Sequence, residues 1–223
     1  GFLLGEKSGL PQALTQTFII AGLIHVVVLS GYNIGVVSDY TLRFFALFLR
    51  RRIALATPAV VIILFALMAG GGMATIRATL MGLIAILGRY LHRPALALRS
   101  LGVAVSAMLL WNPLVVFDAG FVLSVLATLG IITLGTWIDQ KLLRVPVLRS
   151  LGEVGRSTAA TTVAVQLFVL PALLYYTGIF SFVSVPANVI FLPFVPLAML
   201  LGFLAGLLAL VPPVLRLLRA LAG

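Results

Sequence analysis

The chain is dominated by long apolar runs without polar alternation, and at least six of them reach the length of a bilayer-spanning helix. A crossing helix needs about 20 mostly apolar residues. Hydrocarbon offers no water to the backbone, so a spanning segment must satisfy its own N–H and C=O groups, as a helix or within a closed barrel. Barrel strands alternate apolar and polar residues, and runs such as VVIILFALM and LGFLAGLLAL do not. The expected fold is therefore all-α, a polytopic membrane helix bundle. Charged residues, 9% of the chain against 62% hydrophobic, are too few for the surface of a soluble domain, where about 25% are charged.

The runs predict spans over 18–37, 53–70, 74–91, 95–111, 115–135 and 159–176. The remaining stretch, 179–211, is too long for one helix and too short for two full crossings with a turn. Pro186, Pro193 and Pro196 each remove a backbone donor there. The expectation is a broken or re-entrant piece over 180–194 and a full span over 195–211, about seven crossings in all.

Basic residues test this layout, because cytoplasmic loops carry an excess of Lys and Arg. Arg43, Arg50, Arg51 and Arg52 follow the first span, and Arg89, Arg93 and Arg99 flank the third connection. Lys141, Arg144, Arg149 and Arg156 fill the fifth, and Arg216 and Arg219 end the chain. With seven crossings these thirteen of the fifteen basic residues share one side, leaving Lys7 and Arg77 for the other. The N-terminal end is then expected outside and the C-terminal end in the cytoplasm. Orientation also accounts for most of the formal charge of +10. Trp111, Trp137, Tyr175 and Tyr176 fall at predicted helix ends, where amphipathic rings favour the headgroup region. Small residues four apart, in Ala74, Ala78 and Gly82, in Gly120, Ser124 and Thr128, and in Ala198, Gly202 and Gly206, predict close helix approach.

Polar groups at membrane depth are costly, about 2.5–3.5 kcal/mol for a charge at a helix centre, so each is a candidate for function. They are His25, Ser30, Asn33, Arg77, Asp118, Gln166 and Asn188. His25, Ser30 and Asn33 fall within an arc of roughly 140° on a helix. They either line a cavity beside Gly31 and Gly35 or hydrogen-bond across helices. Arg77 follows a triple glycine near the outer end of its span, where it snorkels to the headgroups, pairs with Asp118 or faces an anionic ligand. Gln166 precedes Pro171 by five residues and Asn188 lies among three prolines. Both suit kinks at which an amide re-satisfies freed backbone.

No His, Asp or Glu cluster has metal-ligand spacing, and no phosphate loop or Ser/His/Asp set is present. A catalytic centre and a cofactor are therefore not expected. There are no cysteines, so disulfides and thiolate metal sites are excluded. Gly1 is preceded by no initiator Met and followed by no basic n-region or cleavage site, so the chain is expected to be an internal piece of a longer polypeptide.

The segments GEKSGLP at 5–11, AGLIHVVVLSGYNI at 21–34, IRATLMGLIAILGR at 76–89, FDAGFVLSVLATLGI at 117–131, QLFVLPALLYYTGIFS at 166–181 and ANVIFLPFV at 187–195 resemble, in this order, the competence domain of the ComEC family. Its SGxN, RAxLM and FDxGFxLS elements match residues 30–34, 77–81 and 117–124. The resemblance implies an inner-membrane channel core that admits one strand of captured DNA, with the chain as its single transmembrane domain. OB-like and metallo-β-lactamase-like modules often flank that domain in relatives, and any nuclease activity would belong to the latter.

The implied partners are single-stranded DNA, membrane lipids and other DNA-uptake proteins, and a homo-oligomer is left open. His25, Ser30, Asn33 and Asn188 would offer neutral hydrogen-bonding groups to the strand, and Arg77 one attractive charge at the outer mouth. Tyr32 and Phe121 would either stack bases or pack in the core. Two rival readings stand beside this one: a transporter of an unidentified small solute or ion, and a non-conducting scaffold of an uptake complex.

Overall fold

Among the described residues, the apolar segments resolve as helices. A computed structural model describes residues 31–92, 96–144, 152–178 and 183–205, and every element among them is helical. In chain order these are α1 (Gly31–Ala46), α2 (Arg51–Met68), α3 (Met73–Tyr90), α4 (Ala97–Trp111), a 3-10 turn (Pro113–Phe117), α5 (Ala119–Gly130), a π-helical turn (Ile131–Gly135), α6 (Thr136–Leu142), α7 (Gly152–Thr177), α8 (Ser184–Phe191) and a 3-10 turn (Leu192–Phe194). Helix then continues over 195–205.

Four helical runs are long and apolar enough to cross a membrane: Met73–Tyr90, Ala119–Leu142, Gly152–Tyr176 and Val185–Ala205. Shorter apolar helices cover Ile53–Met68 and Ala97–Trp111. The chain is an all-α, polytopic membrane helix bundle. Trp111, Trp137 and Tyr175 are exposed at or near helix ends, and Lys141 Nζ lies 5.2 Å over the Trp137 ring.

Local chemistry sets the breaks. Gly70 and Gly71 adopt φ values of 77° and 62°, a left-handed turn that few other residues tolerate, and Gly72 then opens α3. Pro58 is fully buried inside α2. Its missing N–H leaves the carbonyl of Ala54 without its helical donor, and the Thr57 hydroxyl donates to that oxygen at 2.9 Å. Asn112, extended before Pro113, ends α4 and accepts from the Leu114 N–H at 3.0 Å.

Several boundaries differ from the predicted ones. Helix α1 runs through Ala46, so Arg43 lies in its last turn rather than in a loop. The predicted 115–135 span starts with the 3-10 turn and continues through α6, carrying Asp139 and Lys141. Helix α7 begins seven residues before 159, at Gly152, and includes Glu153 and Arg156. The predicted separation at 194 is a single 3-10 turn inside one crossing-length run. Pro186 sits in the first turn of α8, where no donor is lost, and Pro193 sits at the start of the 3-10 turn.

Two packed groups make up the bundle. In one, α1, α2 and α3 meet through Ile34, Ile62, Ala78 and Ile86. In the other, α7 packs on α5, α6 and α8, with Ile138, Ala160 and Ala164 at the α6–α7 contact. Met108, Val115 and Phe121 join them through α3 and α4. Ala187, Val195 and Met199 pack on Val36, Val37 and Phe65. In lipid there is little hydrophobic gain between helices, so association relies on close van der Waals contact. Gly130 shows how close: a Cβ there would lie 2.6 Å from the Ala164 carbonyl oxygen. A Cβ on Gly82 would likewise lie 3.1 Å from Ile62 Cδ1, which gives the small-residue stripe of α3 its packing role.

Candidate functional site

The polar residues that face inward define the site. Arg77 enters the bundle one turn into α3 and is only 6% exposed. Its Nε donates to Ser124 Oγ on α5 at 2.7 Å, and its Nη1 contacts Met81 Sδ at 3.1 Å. Thr75 and Thr79 are buried on the same helix, and the Thr79 hydroxyl is turned back onto the Thr75 carbonyl at 2.8 Å. Arg77 therefore neither snorkels nor stands open at an outer mouth in this structure. Nor does it pair with Asp118. That carboxylate is exposed and accepts from the Phe121 N–H at 2.7 Å, which makes it the N-cap of α5.

A second polar group lies where α8 packs on α7. Asn188 is 3% exposed and its Nδ2 lies 3.5 Å from Thr162 Oγ1, a long contact. The Thr162 hydroxyl donates to the Thr158 carbonyl at 2.8 Å. Asn188 Oδ1 is buried with no partner among the described residues, as is Ser38 Oγ on α1. Asn33, 2% exposed, is buried on α1 one residue before the core residue Ile34. Gln166 is half-buried on α7. Phe121 packs in the core rather than presenting a stacking face, whereas Tyr32 is exposed. His25 and Ser30 lie outside the described residues.

Among the described residues, no hydrogen bond or ion pair joins two of the five candidates Asn33, Arg77, Asp118, Gln166 and Asn188. Arg77 and Asn188 instead meet hydroxyls, those of Ser124 and Thr162, that sequence reasoning does not single out for chemistry. Ser124 stands out in the sequence only as a small residue of a packing stripe and as the last residue of the FDxGFxLS element. It lies 47 positions from Arg77, and only the α3–α5 contact brings the two together. Thr162 and Ser38 carried no signal, because a lone hydroxyl in an apolar helix reads as a residue bonded to its own backbone.

Crossing-length apolar helices with charge and amides turned inward define a polytopic membrane protein with a polar interior. Within that class the family is resolved: a family model described as competence protein matches residues 2–223, and the chain belongs to that family. It is 29% identical over 211 residues to ComE operon protein 3 of Bacillus subtilis (strain 168). The match covers 93% of this chain and 26% of that relative, so the chain spans about a quarter of the relative's length. No solved structure matches the chain.

Proposed function

We propose that this chain is the core of an inner-membrane channel that passes single-stranded DNA into the cytoplasm during natural transformation. The observation that carries the reading is the family match across residues 2–223, reinforced by the likeness to ComE operon protein 3. A single strand is a flexible polyanion, so its passage needs polar groups inside the bundle and phosphate contacts weak enough to release. Asn33, Ser38, Arg77, Thr162 and Asn188 are buried polar residues of this kind. Conduction, not strand cleavage, is the role assigned to the segment. Other DNA-uptake proteins deliver the strand and supply the driving force.

Orientation follows from charge. Asp39, midway along α1, lies 3.7 Å from Arg89 in the last turn of α3, which sets the Arg43 end of α1 and the Arg89 end of α3 on one side. Asp139 and Arg156 tie the end of α6 to the start of α7 in the same way. The positive-inside rule assigns that side to the cytoplasm.

The reading is tested in a transformable cell by following labelled DNA from a nuclease-sensitive to a nuclease-resistant state. Loss of the protein should leave DNA bound outside, and complementation should restore entry. Undiminished internalisation without the protein would contradict the channel. The native chain has no cysteine, so single cysteines near Arg51, Arg93 and Arg149 report orientation cleanly. All three should resist an impermeant thiol reagent added outside, and labelling of all three in intact cells would reverse the assignment.

A further inference from the structure

Arg77 is a buried cation that no carboxylate among the described residues neutralises. Its guanidinium carries five N–H donors. Two of its nitrogens are engaged, Nε by a hydroxyl and Nη1 by a thioether sulfur, both uncharged acceptors. Ion pairs among the described residues join Arg89 to Asp39 and Arg156 to Asp139, and Asp118 faces away as a helix cap. An uncompensated charge in a low-dielectric interior is unfavourable. A carboxylate at position 124 would be the simple remedy, yet the residue in contact there is Ser124.

We propose that Arg77 and Ser124 form a phosphodiester-binding site for the translocating strand. One phosphate takes the place of Ser124 Oγ as acceptor, and the serine holds the guanidinium in register when no strand is present. This rests on the channel reading above and adds to it a ligand group and a positioning residue. In the Arg77–Ser124 bond only the donor is charged, whereas in an Arg–phosphate bond both partners are, so a phosphate displaces a hydroxyl where it would not displace a carboxylate. A single such contact, with a hydroxyl ready to reclaim the donor, also permits release. Phospholipid headgroups share this chemistry. The strand is the favoured source because the side chain is buried against α5 rather than exposed on the lipid face.

Ser124→Asp supplies the missing carboxylate permanently. Folded protein should be maintained, while uptake of labelled DNA per folded molecule should fall about tenfold or more, the worth of one charge-assisted contact. Ser124→Ala removes the positioning hydroxyl without adding a charge and should lose less uptake than Ser124→Asp. Arg77→Lys should retain more than Arg77→Gln, since it keeps the charge but loses the planar fork. In neutral phosphatidylcholine nanodiscs, binding of a short oligothymidylate should be salt-sensitive for the native protein, and weaker with a shallower salt slope for Ser124→Asp. Normal uptake per folded molecule in Ser124→Asp would overturn the site. A variant effect seen only when anionic phosphatidylglycerol is present would overturn the strand as ligand and make this a lipid contact. Both results differ from internalisation that persists without the protein, which would remove the channel reading itself.

Discussion

Two arginines reach the same helical run and meet different chemistry there. Near the end of the run Ala119–Leu142, Arg156 grips the Asp139 carboxylate through Nε at 2.8 Å and Nη2 at 3.4 Å, with side chains 15% and 27% exposed. Near its start, Arg77 reaches Ser124 through Nε at 2.7 Å, more deeply buried and facing no carboxylate. The better solvated cation is the neutralised one. A fork closed on a carboxylate acts as a fastening between helices, whereas a fork closed on a hydroxyl leaves charge available to an incoming anion.

The comparison can be broken most severely through the run that carries both partners. Gly130 lies between Ser124 and Asp139, pressed on Ala164. Gly130→Leu should separate α5 from α7, cost about 3 kcal/mol or more from overpacking, and sharply reduce folded protein, measured by fluorescence-detected size exclusion.

Next in size, Asp139→Asn should destabilise the bundle by about 1.5–3 kcal/mol, the range for hydrogen bonds to charged groups. Thermal unfolding in nanodiscs reports it, and DNA uptake per surviving molecule should stay near the native value. The double exchange Asp139→Arg with Arg156→Asp should recover part of the loss. Unchanged unfolding in Asp139→Asn would show that this pair fastens nothing.

A smaller effect is expected at Asn188, whose Oδ1 is buried and unpaired among the described residues. Asn188→Leu removes an unsatisfied acceptor, so unfolding should shift by no more than about 1 kcal/mol in either direction. Uptake per molecule should nevertheless fall if the amide faces the strand. Smallest of all, Arg89→Ala breaks an exposed pair at 3.7 Å and should change stability by less than about 1 kcal/mol.

Much of the fold was legible because the bilayer reduces the problem to length and polarity. The 53–70, 74–91 and 95–111 spans land within about two residues of α2, α3 and α4. Errors occur where helices outrun the apolar stretch: α1, α6 and α7 carry Arg43, Lys141 and Arg156 on helical backbone beyond the apolar windows. Hydropathy senses where apolar residues stop, not where hydrogen bonding stops. The prolines at 186, 193 and 196 suggest a division, yet the chain absorbs Pro186 in a first turn, Pro193 in a 3-10 pinch and Pro196 at the start of the helix that resumes after it.

The site was legible only one residue at a time. Arg77 and Asn188 stood out as polar groups in apolar segments, but what each of them touches depends on tertiary contacts across 47 and 26 positions. The role of Asp118 is local. Its position at the entrance of a helix, three residues before the Phe121 N–H, is a capping signature, and no arginine partner is needed to account for it.

The most direct test sets the two arginines against each other. DNA uptake per folded molecule should be measured over a range of ionic strength for the native protein, Arg77→Gln and Arg156→Gln. The account predicts that Arg156→Gln lowers protein level while retaining the native uptake and salt slope, and that Arg77→Gln retains protein while losing uptake and flattening the slope. Equal uptake per molecule in both variants, with the salt dependence intact, would contradict it.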